Sequence, residues 1–348
     1  MKDTLRKLVT IYGPSGREAA VAEEITALLR PYVDEIHTDA LGNVIATLDG
    51  KSTAPAPDGG AAEGPRPGFR VMLCAHMDQS GLIVTEVTPE GLLRFSVVGR
   101  LRATSLPGQR VRGLSGTPGL VRLDDGVEVR DIASGKMHIE VGASDRDAAM
   151  AKARPGDVFL PTASLLDFGD CQSSPALDNR AGCAVLVEVA RGLKSAASHP
   201  SITHFVFSVQ GAVDPRGAHP AAYGLRPDLG LVVDVARAKT GGSKIDLTLG
   251  QGPAIRIRGD NYIAPPRVRD LLERAAIEAN LRYQFEVTAA EETASDASAI
   301  EIAGAGTLTG VLTLPARGCW TTSATVSLAD LEATATLLLT ILKAPITL

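Results

Sequence analysis

ALDNRAGCAVLVEVARGLKSAASHPSITHFVFSV, residues 176–209, combines a helical pattern with an apolar strand, and the rest of the C-terminal half repeats this combination. Its apolar spacing predicts a helix over 179–194 that precedes a strand over 204–209. Further strands are predicted at 229–234 and 283–288, and further helices at 266–280 and about 328–343. Helices that alternate with apolar strands are typical of a layered α/β fold, which is the fold class that we expect.

The N-terminal segment extends the same architecture. Four apolar residues at helical spacing predict a helix that ends near Pro31: Val21, Ile25, Leu28 and Leu29. Strands are predicted at 33–38 and 43–48, joined by a glycine-asparagine turn, and again at 69–75.

Between residues 82 and 162 the pattern changes to short strand-like runs separated by glycine, at 81–87, 92–98 and 119–122. One short helix interrupts them, with Ser144 as its expected N-cap and residues 148–153 as its body. We therefore predict a small β-rich domain over 82–162, inserted into a larger domain that consists of residues 1–81 and 163–348.

Residues 51–68, KSTAPAPDGGAAEGPRPG, are rich in proline, glycine and alanine and nearly free of large apolar side chains. This composition predicts a flexible surface loop within the larger domain.

The overall composition excludes several classes of function. The chain has 348 residues, 45% hydrophobic and 22% charged, which indicates a globular protein of about two domains. A net charge of −5 argues against a nucleic-acid-binding surface. No apolar stretch approaches the roughly 20 residues that span a bilayer, and the first residues lack the apolar core of a signal peptide, so no membrane partner is expected.

The four cysteines, Cys74, Cys171, Cys183 and Cys319, are scattered and form no C-x-x-C pair. A chain of this size does not need a disulfide framework, and these spacings do not support a structural zinc site. We interpret the cysteines as small buried residues of a reducing compartment and expect a cytoplasmic protein.

Three short motifs carry residues that could bind a metal ion. His76 follows an apolar strand in AHMD, where Asp78 could orient the imidazole. Asp178, in ALDNRAGC, either caps a helix or bridges two metal ions. Asp234 ends an apolar strand and needs a compensating cation, which is either a metal ion or a residue such as Arg237.

Further motifs extend these three along nearly the whole chain. They are SG at 15–16, DALGNV at 39–44, PGQRV at 107–111, HIEVGAS at 138–144, RPGD at 154–157, RGA at 216–218, RPD at 226–228, GQGPAI at 250–255, SDA at 295–297 and LPAR at 314–317. In this order and context, the sequence resembles the TET-type, glutamyl-aminopeptidase-like metallo-aminopeptidases of the co-catalytic dizinc exopeptidase clan. The resemblance implies a central mixed β-sheet flanked by helices, with an inserted β-rich domain that mediates assembly into hollow dodecamers.

The resemblance also implies two metal ions and one catalytic base. One ion would be held by His76, Asp178 and Asp234, with Asp178 bridging to the second ion. The second ion would add a glutamate and a late histidine, and the glutamate directly before that ligand would be the general base. Peptides would be the substrates, and the enzyme would remove their N-terminal residues.

The sequence departs from this pattern at the base and at both unshared ligands of the second ion. The family's VQEEVGLRGA reads VQGAVDPRGA at 209–218, which places Gly211 at the general base and Ala212 at the ligand glutamate. The family's PARYIH reads PARGCW at 315–320, which places Trp320 at the second histidine. The last histidine of the chain is His219, so no later residue replaces that ligand.

These losses predict a preserved scaffold with little or no peptidase activity, in other words a pseudoenzyme. A general base typically contributes about 10²–10⁴ in rate, and neither Gly211 nor Ala212 has a side chain that transfers a proton. The chain would then serve as a peptide-binding or assembly subunit. It would form a homo-oligomer, a dodecamer by the resemblance, or a hetero-oligomer with an active paralogue.

The remaining three ligands leave one divalent ion as the expected cofactor, with zinc, cobalt or manganese all suited to one nitrogen and two oxygen ligands. A second ion is not expected. Trp320 either fills the volume of the second site or packs at its periphery. The alternative function is an active single-metal aminopeptidase or amidohydrolase in which Asp214, or Glu292 of the pair Glu291-Glu292, replaces the lost acid.

Overall fold

The computed structural model describes residues 1–51, 68–162, 164–241, 247–259, 261–287 and 295–348. The loop predicted at 51–68 lies, apart from its two end residues, outside the described residues. None of the helices in the described ranges is long and apolar enough to cross a membrane.

The described residues form 18 β-strands and eight α-helices. The strands are β1 (Glu35–Thr38), β2 (Val44–Leu48), β3 (Arg70–His76), β4 (Gly81–Val87), β5 (Leu93–Val98), β6 (Arg110–Gly113), β7 (Pro118–Leu123), β8 (Met137–Glu140), β9 (Val158–Pro161), β10 (Leu166–Asp167), β11 (Cys171–Ser174), β12 (Ile202–Ser208), β13 (Leu229–Arg237), β14 (Ala254–Gly259), β15 (Tyr262–Ile263), β16 (Gln284–Val287), β17 (Leu308–Arg317) and β18 (Ala324–Ser327). The helices are α1 (Lys2–Val9), α2 (Ala19–Leu29), α3 (Arg146–Met150), α4 (Leu177–Lys194), α5 (Ala218–Leu225), α6 (Pro266–Glu278), α7 (Asp296–Glu301) and α8 (Leu328–Leu342).

Twelve strands of the described chain form one mixed sheet, with the order β1-β2-β12-β3-β13-β17-β18-β11-β10. Its four central strands, β12, β3, β13 and β17, run parallel to their neighbours in that group, whereas the outer strands pair antiparallel. A side branch leaves β17, where β14 pairs with it and carries β15 and β16. The predicted α/β class is therefore confirmed, and the sheet is mixed.

Helices cover both faces of this sheet, which explains why its central strands are apolar on both sides. In β3, Val71 and Leu73 pack into one core with α1, α2, α4, α6 and α8. Met72 and Cys74 face the other way, into a second core with α5 and α7. His76 continues the even-numbered series and so lies on the α5 and α7 side.

The segment between the first two predicted ligands folds separately as a closed antiparallel barrel, with the order β4-β5-β8-β7-β6-β9. Its strands lie between Gly81 and Pro161 and enclose a core of their own, which includes Leu82, Ile139 and Phe159. The short helix is present, but the predicted N-cap was wrong by one residue. Asp145 caps α3 by accepting a hydrogen bond from the Ala148 amide at 2.9 Å, because a carboxylate is a stronger acceptor than a hydroxyl group.

Candidate metal centre

The centre lies at the carboxyl ends of the central parallel strands. The strand register places one polar residue of each of these strands side by side there. Ser208 pairs with His76, and Asp234 pairs with Thr313. Val232 pairs with Cys74, so that Asp234 lies beside His76 two residues further along. Ligands collect at the carboxyl ends of parallel strands, and this row puts polar side chains there.

Asp78 fixes the orientation of the His76 ring. The Asp78 side chain is fully buried and accepts hydrogen bonds from Ser15 Oγ at 2.6 Å, Gly211 N at 2.8 Å and Ala212 N at 3.0 Å. Its Oδ1 also lies 3.1 Å from His76 Nδ1. A carboxylate with these donors accepts the Nδ1 proton, which assigns Nε2 as the free ring nitrogen.

Asp178 lies opposite that nitrogen, with its Oδ1 3.4 Å from His76 Nε2. Its carboxylate does not cap the helix, because Asn179 takes that role and accepts the Gly182 amide at 3.1 Å. Both Asp178 and Asn179 have non-helical backbone angles, so regular α4 geometry begins after them. The capping interpretation of Asp178 was therefore wrong, and its carboxylate faces the centre.

Asp234 completes the group. Its Oδ1 accepts the Val235 amide at 2.8 Å, and its Oδ2 lies 3.6 Å from Arg256 Nη1. Arg256 is thus a cation beside Asp234, and compensation of Asp234 by Arg237 stays a prediction. The guanidinium of Arg237 lies 5.6 Å from the centroid of the Trp320 ring.

Together, His76, Asp178 and Asp234 offer one nitrogen and two oxygen atoms that all lie within 4.8 Å of one another. They line a cavity of about 20 Å³, which is enough for one ion or water molecule. This donor set suits a single divalent cation and leaves open positions for further ligands. The structure thus brings together the three residues that the resemblance assigned to one ion, and their binding of an ion stays a prediction.

The charges around His76 favour its protonated form. Burial acts to lower the pKa of His76, but the hydrogen bonds with Asp178 and Asp78 and their negative charges raise it well above its usual value. Conversely, burial acts to raise the pKa of Asp78, but the interaction with His76 and the hydrogen bonds from Ser15 and the Ala212 amide together outweigh it and lower that pKa. A bound cation would therefore compete with a proton for His76 Nε2.

Gly211 and Ala212, which the resemblance aligns with the catalytic and ligand glutamates, also line this cavity. Neither supplies a donor atom from a side chain. A Cβ atom added at Gly211 would also collide with the side chain of His76, so the backbone here leaves no room for a larger residue. The backbone amides of both residues are used to bind Asp78.

Asp296 is a further carboxyl group among the described lining residues. Its Oδ2 accepts hydrogen bonds from Ser208 Oγ at 2.6 Å and Cys74 Sγ at 3.3 Å. Burial raises the pKa of Asp296 more than the charge of His76 and the Ser208 hydrogen bond lower it.

Trp320 is absent from the described lining of the cavity. Its half-buried ring lies 5.6 Å from the guanidinium carbons of both Arg102 and Arg237, and its backbone is left-handed, with φ of 61°. These contacts favour the second of the two alternatives for Trp320, in which it packs at the periphery of the site and does not fill the second metal position.

The proposed replacement acids do not strengthen the site. Asp214 is exposed and does not contribute to the described lining of the cavity. Glu291 and Glu292 lie outside the described residues.

Sequence reasoning missed Arg256 and Glu286. Both are buried, and Arg256 Nε donates to Glu286 Oε2 at 3.0 Å. A signal was present in β16, where the charged Glu286 is buried between the exposed Phe285 and Val287. In most strands the apolar residues are buried and the charged ones exposed. The reversal in β16 can be recognised only when it is known which face of the strand is buried.

Comparison with known proteins agrees with this architecture. Residues 60–337 match the M42 glutamyl aminopeptidase family. A provisionally named aminopeptidase of Acetivibrio thermocellus is 35% identical over 95% of both chains. The lysyl aminopeptidase of Pyrococcus furiosus is 29% identical over 90% of this chain and 89% of its own length.

Solved structures agree as well. A TET aminopeptidase from a marine sediment archaeon of the Thaumarchaeota superposes with a TM-score of 0.88 at 26% identity, covering 98% of this chain and 96% of its own. A Pyrococcus horikoshii TET1 peptidase, described as assembling into a tetrahedron or a large octahedral shell, gives 0.84 at 26% identity and 98% coverage of each chain. The family model covers more than half of the chain, and the aminopeptidases of this family are metal-dependent. The chain therefore belongs to the M42 glutamyl aminopeptidase family.

Proposed function

We propose that this chain is a catalytically impaired member of the aminopeptidase family that keeps one divalent-cation site and binds peptides without cleaving them efficiently. The main support is the cavity wall formed by Gly211 and Ala212. At the two positions where the resemblance implies a general base and a metal ligand, the wall offers neither a proton acceptor nor a donor atom. Losing a general base alone costs about 10²–10⁴ in rate.

The residues of the site have two roles, to hold the ion and to orient the ligand that binds it. His76, Asp178 and Asp234 would hold the ion, and Asp78 keeps the His76 ring in one orientation. A cation bound there supplies Lewis acidity toward a carbonyl oxygen or a free amino group. Zinc, cobalt and manganese all accept this donor set.

Metal stoichiometry and turnover test the proposal directly. We expect about one tightly bound ion per chain after titration with zinc, cobalt or manganese, and only trace hydrolysis across a panel of aminoacyl-anilides. Asp178→Ala is the control that removes the site. Hydrolysis that depends on Asp178 would contradict impairment and favour the single-metal hydrolase, and Asp296→Asn would then test the remaining carboxyl group as its base. Two bound ions per chain would contradict the loss of the second site.

We also propose that the chain forms a homo-oligomer through its inserted barrel. The support is that the similar TET1 peptidase aligns over 98% of both chains and is described as a large assembly. Mass measurement by light scattering on the purified chain tests this, with a dodecamer as the expected state. A monomer that assembles only with an active relative would favour the hetero-oligomer instead.

A cytoplasmic location is proposed as well. All four cysteines are free thiols and three of them are buried, which fits a reducing compartment. Fractionation of the native host with an antibody against the chain measures this.

A further inference from the structure

A buried ion pair lies directly behind the candidate metal centre. Arg256, on β14, is 1% exposed, and its Nε donates to Glu286 Oε2 at 3.0 Å. Glu286, on β16, is 7% exposed and also accepts a hydrogen bond from Thr313 Oγ1 at 2.7 Å. Burial at such depth removes water from the guanidinium, and nearby anions can offset the cost of that desolvation.

The guanidinium also faces a predicted metal ligand. Arg256 Nη1 lies 3.6 Å from Asp234 Oδ2, which is close enough for an ion pair and too long for a good hydrogen bond. Within the described chain, Nη1 is a buried donor without a hydrogen-bond partner. The Val235 amide already takes Asp234 Oδ1. Asp234 Oδ2 is thus the oxygen that a small side-chain movement would bring to Nη1.

The strand register makes this juxtaposition a fixed part of the fold. Thr313 of β17 pairs with Asp234 on one side and with Ala254 of β14 on the other. Arg256 follows Ala254 by two residues and therefore points to the same face. Burial acts to lower the pKa of Arg256, but the charges of Glu286 and Asp234 outweigh it and raise that pKa, so the guanidinium stays charged.

Two cations would then share one carboxylate. A divalent ion bound by Asp234 meets the positive charge of Arg256 on the far side of the same group, in surroundings where water screens poorly. Without an ion, the positive charge of Arg256 offsets the negative charge of the Asp234 carboxylate. Glu286 reduces this effect, since its negative charge opposes that of Arg256.

We propose that Arg256 is a built-in counter-ion of the cation site, which competes with a divalent ion for Asp234 and lowers the site's affinity, while Glu286 partly neutralises it. The inference rests on the proposed single-cation site. Arg256 is a positioning residue in this role, because it acts on the ion through Asp234.

Two variants of the full chain test this by shifting affinity in opposite directions. Glu286→Gln keeps the shape and the hydrogen-bond acceptor but exposes the ion to the full charge of Arg256, so Co²⁺ and Zn²⁺ should bind several-fold more weakly. The pair Arg256→Met with Glu286→Gln removes both charges at similar volume, and the ions should bind about tenfold more tightly than to the natural chain. Isothermal titration calorimetry measures both, and the visible absorption of bound Co²⁺ reports its ligand set.

Opposite shifts separate this role from general damage, because a loosened fold would weaken binding in both variants. His76→Ala identifies binding elsewhere on the chain, which is subtracted. If the natural chain binds one ion and the double variant binds it no more tightly, the counter-ion role is overturned and the single-cation site stands. If neither the natural chain nor either variant binds an ion through His76, the single-cation site falls and this inference falls with it.

Discussion

At the residue scale, the candidate centre is a set of mostly buried charges that compensate one another. Asp78 receives donors from Ser15, Gly211 and Ala212, and His76 lies between Asp78 and Asp178. Buried carboxylates are stable only with such partners. Substitutions here should therefore act on metal affinity and on folding together, and the two effects need matched controls.

Gly211→Ala tests whether the loop after β12, which contains Gly211, packs directly against the predicted metal ligand His76. The added Cβ would collide with His76, so we expect a loss of about 1–3 kcal/mol in the free energy of unfolding and weaker metal binding, because the ring must move. Gly224→Ala in α5 is the control. No atom lies within 4 Å of its added Cβ, so it should be neutral or stabilise the helix by up to about 1 kcal/mol. Chemical denaturation measures both, and equal effects would show that the loop is not packed against His76.

Asp78→Asn tests the orientation of the histidine ring. An amide at this position loses the negative charge that stabilises the Nδ1–H form of His76, and partners of this kind are typically worth 10–100-fold in metal affinity. We expect a decrease of about that size in calorimetric titration with zinc. Asp214→Asn, which changes an exposed carboxylate on the adjacent loop, should leave affinity unchanged. A large effect of Asp214→Asn on metal affinity would instead support Asp214 as the acid that replaces the lost glutamate.

At the element scale, the position of the centre follows from strand register. Ser208, His76, Asp234 and Thr313 form one row across four parallel strands, and α7 places Asp296 against its first member. A shift of one residue in any strand would turn its member of the row to the other face of the sheet. The sheet register therefore fixes where His76 and Asp234 lie, whereas Asp178 comes from the start of α4.

The sequence was informative where burial is uniform along an element. The apolar runs of β12 and β13 and the long pattern of α4 predicted those elements within a few residues, because such runs have few alternatives. The strand β16 was predicted, at 283–288, but β14, β15 and the pairing of this branch with β17 were not, since that pairing joins residues about 60 positions apart. For the same reason Arg256 was missed, while His76, Asp178 and Asp234 were found through local motifs.

Helix α7 carries a glutamate whose ionisation should affect stability. Burial raises the pKa of Glu301 to about 7, from 4.5. The folded state then binds a proton that the unfolded state has lost, so this group's contribution to stability falls as pH rises from 4.5 to 7 and stays low above that. Glu301→Gln should therefore be more stable than the natural chain at pH 8 and similar to it at pH 4.5.

The measurement is chemical denaturation at several pH values across this range. Glu278→Gln, at an exposed position ending α6, is the control and should keep the natural pH dependence. A Glu301→Gln variant with the same pH dependence as the natural chain would show that Glu301 is solvated in the folded protein.

At the scale of the whole molecule, two bodies with separate cores meet next to the candidate centre. The barrel is inserted between His76 and Asp178, and the loop after β5 reaches back to the larger domain. There the Arg102 amide donates to the Trp320 carbonyl at 2.7 Å, and the Arg102 guanidinium lies on the Trp320 ring. Trp320, which the resemblance aligns with a family histidine, thus takes part in a contact between the domains.

Arg102→Ala tests that contact. Cation–π pairs at exposed positions contribute about 0.5–1 kcal/mol, so we expect a loss of that size in the free energy of unfolding. Trp320 is the only tryptophan in the sequence, so the fluorescence of the protein reports the surroundings of this one ring. The emission should shift to longer wavelength as the ring becomes more exposed to water, while circular dichroism of the folded state stays unchanged.

The control is Arg110→Ala, at an exposed arginine of the barrel strand β6, which should change neither the emission nor the stability. If Arg102→Ala behaves like Arg110→Ala, the ring does not couple the two domains, and Trp320 is held by the larger domain alone.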